Sequence, residues 1–167
     1  STNSGNGAAG QITYTQWLND AGKLEADLTV IKLNDEKFMV VTSDIAHRHT
    51  ETWMRRNLRD DQHVFITDVT SGYGQLNIQG PRSRELLQSI THADMSNEAF
   101  PFRAVKEIDI GLGRLMCVRI TYAGELGYEL NIPSEQAIRV YDRIIEAGKN
   151  FGRYLDVDGD GIPYRTY

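Results

Sequence analysis

The stretch Leu24 to Leu33 narrows the fold more than any other. Leu24, Ala26, Leu28 and Val30 alternate with Glu25, Asp27 and Thr29. That period of two suits a strand with one buried face and does not suit a helix. Turn chemistry brackets it, with Asn19-Asp20-Ala21-Gly22 before and Asn34-Asp35-Glu36 after. These residue types accept positive φ or bond their own backbone. Ile12 to Leu18 and Lys37 to Thr42 supply flanking strands, so the chain is predicted to open with a three-stranded antiparallel meander.

Beyond the meander, Ser43 or Asp44 is predicted to cap a helix running to about Leu58. Val64 to Asp68 and Gly74 to Ile78 read as short strands. Gly80-Pro81 opens a helix over Ser83 to Ile90, with Leu86, Leu87 and Ile90 facing inward. Ala104 to Ile110 and Leu115 to Thr121 form a hairpin across Gly111-Leu112-Gly113, and Tyr128 to Ile132 pairs next. Ser134 caps a last helix, Glu135 to Ala147, which Gly148 stops. Ile138, Tyr141, Ile144 and Ile145 give that helix an apolar stripe. Short links between interspersed strands and helices make the fold class α+β, a mostly antiparallel sheet with three helices. The expected organisation is a flexible lead-in at 1–9, a folded domain over 10–152 and a distinct acidic, Gly-rich tail at 153–167.

The bulk numbers exclude several functions. With 167 residues, 40% hydrophobic and 25% charged, the chain can bury a real core. A net charge of −5 without a Lys/Arg cluster argues against nucleic acid as a partner. The apolar runs are too short to span a bilayer, so no membrane partner is expected. The single cysteine, Cys117, reads as a buried structural thiol and favours a reducing compartment, the cytoplasm or, in a eukaryote, the mitochondrial matrix. No Gly-x-Gly-x-x-Gly is present, so a flavin domain would lie elsewhere. His47 and His49 point to different sides of a helix, and no metal site is expected. Asp68, Ser71 and His63 can be drawn as a hydrolase triad, but no nucleophile elbow accompanies them. Asp156-Val157-Asp158-Gly159-Asp160-Gly161 resembles the start of a calcium loop, yet the twelfth position is Tyr167 where the bidentate Glu belongs. An acidic turn is the simpler reading.

The run from Ile120 to Leu130 carries the chemistry. It reads as a strand, a glycine-rich turn and a second strand, with Tyr122 at the start and Glu129 near the end. A carboxylate accepts two parallel N–H bonds from a ligand edge with adjacent donors. An aromatic beside it packs on a flat heterocycle. A pterin has both features.

Three more segments join this one. Tyr14-Thr15-Gln16-Trp17-Leu18-Asn19, then Gly22 and Leu24-Glu25-Ala26-Asp27-Leu28-Thr29-Val30, together with Gln75-Leu76-Asn77-Ile78-Gln79-Gly80-Pro81, occur in order with the Tyr122–Glu129 run. This set resembles the folate-binding module of the glycine-cleavage T-protein (aminomethyltransferase) family. Its wording is most similar to the C-terminal part of FAD-dependent dimethylglycine and sarcosine dehydrogenases. The resemblance implies a tetrahydrofolate pocket in which Glu129 holds the pterin donor edge and Tyr122 and Tyr14 line the ligand. Asp27 sits beside the reacting nitrogens as the catalytic carboxylate. It further implies that the module is truncated at both ends, because the first family strands precede Gly10 and an arginine-bearing folate contact follows the last helix. The tail from Tyr154 resembles a segment of 2-oxoacid:ferredoxin oxidoreductases, and Ala123 stands where the family usually has Thr.

The expected function is acceptance of a one-carbon unit from an iminium or aminomethyl intermediate by tetrahydrofolate, giving 5,10-methylenetetrahydrofolate. The enzyme would be a dimethylglycine- or sarcosine-dehydrogenase-like or aminomethyltransferase-like protein, of which this chain is a part that does not suffice alone. FAD enters only through a separate flavin dehydrogenase domain, and an oligomer is compatible with an exposed sheet edge. The alternative is a non-catalytic interaction or regulatory module that keeps the fold.

Overall fold

The computed structural model describes Gly5, residues 7–151 and the backbone of Asp156–Val157 and Pro163–Tyr164. The calcium-loop and tail readings otherwise fall outside the described residues. The chain divides into two compact units, residues 1–70 with 103–105 and residues 71–102 with 106–167.

The first unit is the expected meander. Strands β1 (Gln11–Leu18), β2 (Leu24–Lys32) and β3 (Phe38–Thr42) pair antiparallel in that order, followed by α1 (His47–Arg56). The β1–β2 turn forms because Asn19 Oδ1 accepts from the backbone N–H of Ala21 and of Lys23, and Gly22 takes φ +72°. Ala26, Leu28 and Val30 are buried together, with Trp17 and Val40 packed against them. The period-two reading of β2 therefore holds at these positions, but Leu24, expected inward, is 61% exposed at the strand's mouth. Helix α1 starts later than expected. Ser43 to Ala46 form a turn, Ala46 is the N-cap residue, and the Asp44 carboxylate accepts from Ile45 N–H instead of capping the helix. The expected strand at Val64 to Asp68 is absent: the segment is irregular, with Val64 and Phe65 exposed. β propensity without a partner edge does not make a strand.

The second unit holds a four-stranded antiparallel sheet ordered β4-β7-β6-β5, with β4 Tyr73–Gln79, β5 Val105–Ile110, β6 Gly113–Val118 and β7 Gly127–Pro133. Helices α2 (Ser83–Gln88) and α3 (Ala137–Gly148) cover one face. Tyr128, Leu130 and Ile132 of β7 are fully buried on that face, as are Leu115 and Cys117 of β6. Close approach explains two glycines there: a Cβ at Gly74 would lie 3.1 Å from Ala137 Cβ, and one at Gly113 2.8 Å from Val140 Cγ2. The stripe expected on α3 is corrected. Val140, Ile144 and Ala147 face the sheet, while Ile138 is 76% exposed and Tyr141 40%. Ser134 does not cap this helix. It begins a 3-10 turn to Gln136, and its hydroxyl donates to Ser71 O at 2.7 Å. A last antiparallel pair joins β8 (Asp156–Val157) to β9 (Pro163–Tyr164). No helix among the described residues is long and apolar enough to cross a membrane.

Cys117 sits in the second core, fully enclosed, and burial pushes its thiol well above the usual range. We predict that the native chain reacts with a thiol-specific disulfide reagent at pH 8 far more slowly than the urea-unfolded chain, which titrates its one thiol at once. Equal rates in the two states contradict this burial.

Candidate functional site

The first unit brings Tyr14 and Asp27 together. The β1–β2 register pairs Tyr14 with Thr29 and Gln16 with Asp27, which puts all four on one face and sets Tyr14 diagonally across from Asp27. The Tyr14 hydroxyl donates to Asp27 Oδ2 at 2.7 Å. Their thirteen-residue spacing is thus what a tight hairpin needs to make that diagonal contact. Tyr14 is 57% exposed, so the pair stands at the surface of its unit.

Two histidine contacts anchor α1 nearby. His49 Nε2 lies 2.8 Å from Glu25 Oε2, and Asn19 Nδ2 donates to Glu25 Oε1 at 2.8 Å. The Asn19 amide bond, ahead of His49, holds the Glu25 carboxyl below the usual range. His47 Nε2 lies 3.2 Å from Asp68 Oδ2 and 3.2 Å from Thr70 Oγ1. Asp68 therefore partners His47 and Thr70, whereas His63 packs edge-on to Phe65 with centroids 4.9 Å apart. Among the described residues no group of three or more His, Cys, Asp or Glu side chains is placed to hold a metal ion.

In the second unit Glu129 lies at the middle of β7, on the face opposite the helices, flanked in register by Asn77 of β4 and Val118 of β6. It is half-buried, and desolvation pushes its carboxyl above the usual carboxylate range. Its one hydrogen bond to a described residue comes from Gln75 Nε2, a long contact of 3.3 Å to Oε2. The strand–turn–strand reading of Ile120 to Leu130 needs correction at its first arm. Strand β6 ends at Val118, and residues 119–126 are a loop that turns with Gly124 at φ +77°. Tyr122 is in this loop and 92% exposed. Beside the loop opens a cleft of about 290 Å³, lined by Phe102, Arg119, Ile120, Thr121, Glu125 and Leu126 among others. Arg119 Nη1 donates to Phe100 O at 2.6 Å. Sequence reasoning passed over Gln75 and Asn131 as individual site residues. The available signal was the period-two spacing of Asn131 from Glu129.

Comparison with known proteins bears on the family of the chain. The GCVT N-terminal domain family matches residues 1–155. The 4-methylaminobutanoate oxidase (formaldehyde-forming) of Paenarthrobacter nicotinovorans is 34% identical over 145 residues, covering 87% of this chain and 18% of that protein. The pyruvate dehydrogenase phosphatase regulatory subunit of Mus musculus is 31% identical over 144 residues, 86% of this chain and 16% of that protein. The dimethylglycine dehydrogenase of Homo sapiens is 30% identical over 151 residues, 87% of this chain and 17% of that protein. The chain thus spans under a fifth of the length of these relatives. The heterotetrameric sarcosine oxidase from Corynebacterium sp. U-96, solved in complex with pyrrole 2-carboxylate, aligns at a TM-score of 0.63 with 13% identity, covering 88% of this chain and 68% of that one. That likeness is one of fold, and it bears out the α+β, mostly antiparallel, three-helix expectation. The family match runs through both units and nearly the full sequence, so the chain belongs to the GCVT N-terminal domain family.

Proposed function

We propose that this chain is a tetrahydrofolate-binding module that accepts a one-carbon unit from an iminium or aminomethyl intermediate and yields 5,10-methylenetetrahydrofolate. It would serve within a dimethylglycine- or sarcosine-dehydrogenase-like or aminomethyltransferase-like enzyme. The observation that carries the reading is the state of Glu129: half-buried, desolvated, and given only one long hydrogen bond by the described residues. A carboxylate so held has acceptor capacity left for two parallel N–H donors, the edge a pterin offers. The relatives' names support the same direction, since one is a dimethylglycine dehydrogenase.

Each residue then has a task. Glu129 grips the donor edge, and Tyr122 closes on the ring from its exposed loop. Reduced folate, when bound, supplies the nucleophilic nitrogens. Asp27 provides negative charge where positive charge develops on nitrogen, worth most where water is excluded. The Tyr14 hydroxyl, donating at 2.7 Å, fixes the orientation of that carboxylate. In this reading FAD belongs to a flavin domain elsewhere in the natural protein, and the chain alone does not complete the oxidation.

The test uses the intrinsic fluorescence and thermal unfolding of the chain as tetrahydrofolate is added under anaerobic conditions. Quenching together with a rise in Tm is expected, because a ligand that binds only the folded state stabilises it by mass action. The absence of both signals at millimolar ligand overturns the reading. It would favour the second one, a regulatory module without turnover, for which the similarity to a pyruvate dehydrogenase phosphatase regulatory subunit is the specific support.

A further inference from the structure

Asn131 is a buried polar side chain on this face that the proposed function leaves unused. It follows Glu129 by two positions on β7, so both point to the side of the sheet away from the helices. It is 3% exposed, and its Nδ2 has no hydrogen-bond partner among the described residues. In register it stands opposite Gln75 of β4 and Met116 of β6, and Gln75 is the residue whose amide reaches Glu129. A buried amide donor without a partner costs its full desolvation, and native structures rarely keep one without a use. Placed beside a desolvated carboxylate, it makes a two-part reader: acceptors at Glu129 and a donor at Asn131.

We propose that Asn131 is a specificity-determining residue that donates from Nδ2 to the ring carbonyl adjoining the pterin donor edge. A 2-amino-4-oxo pterin presents two N–H donors and then a C=O along one side. Glu129 accepts from the first two and Asn131 donates to the third. The inference rests on the tetrahydrofolate reading and deepens it, because it states which heterocycle edge the site selects. Gln75 fits the same picture as a displaceable stand-in: its neutral N–H holds Glu129 Oε2 at 3.3 Å, a contact that a shorter ligand pair outcompetes.

The experiment compares wild type with Asn131→Leu, which keeps the branching and the number of side-chain heavy atoms and deletes the amide. Three quantities are read: the Tm of the free chain, the Kd for tetrahydrofolate, and the Kd for a tetrahydrofolate analogue with an amino group in place of the ring carbonyl. The leucine variant is expected to melt at or above the wild-type temperature, since it removes an unpaired buried donor. It is expected to bind tetrahydrofolate roughly tenfold more weakly and the amino analogue about as well as wild type does, so the preference between the two ligands shrinks. If the leucine variant does not fold, Asn131→Ser carries the same affinity expectations. Wild-type affinity and an unchanged ligand preference in the folded variant overturn the role of Asn131 and leave the tetrahydrofolate reading standing. Equal loss of affinity for both ligands also overturns the role, marking Asn131 as structural. Failure of wild type to bind either ligand overturns both.

Discussion

Glu129→Gln is expected to weaken tetrahydrofolate binding by roughly 1.5–3 kcal/mol, on the order of ten- to a hundredfold in Kd, the usual scale for hydrogen bonds to a charged group. The substitution keeps the size of the side chain and one acceptor oxygen. It replaces the second acceptor by a donor, which then faces a ligand N–H. Titration calorimetry on the two folded chains measures it directly, and equal affinities reject Glu129 as the pterin-holding residue. The free chain should not suffer in return. Desolvation raises the Glu129 carboxyl, so the ionised form is unfavourable in the folded state. A neutral amide removes that cost, and the variant is expected to be at least as stable as wild type at pH 7.

The same shift sets the sign of two pH effects. Between the ordinary carboxylate pKa and its raised folded value, Glu129 binds more protons in the folded chain than in the unfolded one. Its contribution to stability therefore falls as pH rises through that window, and Glu129→Gln abolishes the slope. Ligand binding runs the other way. The donor edge needs the ionised carboxylate, so affinity weakens as pH falls through the raised pKa, and binding there releases a proton. Calorimetry in two buffers of different ionisation enthalpy detects that proton.

Legibility in the sequence followed how local each determinant is. The meander was plain because period-two alternation and Asn/Gly turn chemistry lie within a few residues of each other. The Tyr14–Asp27 contact follows from that same hairpin, since its register fixes the diagonal. Val64 to Asp68 misled because Val, Phe and Ile carry strand propensity whether or not a free edge exists. The α3 face misled for a related reason. Ile138 and Tyr141 continue an apolar stripe on paper, but the sheet is met by Val140, Ile144 and Ala147. The state of Glu129 was beyond local reasoning altogether. Its position between Tyr128 and Leu130 shows which face it takes, but desolvation and the Gln75 contact depend on a strand more than fifty residues away.

The second large effect is expected at Tyr128, where two substitutions should diverge. Tyr128 is fully buried in the second unit, its ring edge-on to Phe100 with centroids 5.8 Å apart, and its hydroxyl has no hydrogen-bond partner among the described residues. Tyr128→Ala removes the whole ring from a packed core. Aromatic-to-alanine changes of this kind cost about 3–5 kcal/mol, a large share of the 5–15 kcal/mol that holds a typical domain together. Tyr128→Phe keeps the ring and its edge-to-face contact and deletes only the hydroxyl. Because that oxygen is buried without a partner, its removal should be neutral or should stabilise the chain by about 1 kcal/mol. Urea unfolding followed by far-UV circular dichroism separates the two. The alanine variant should lose a large share of its midpoint concentration, while the phenylalanine variant should match or exceed wild type at an unchanged m value. A phenylalanine variant destabilised by more than about 1 kcal/mol would mean that the hydroxyl makes a bond in solution, and this account of the core beneath Glu129 would then be wrong.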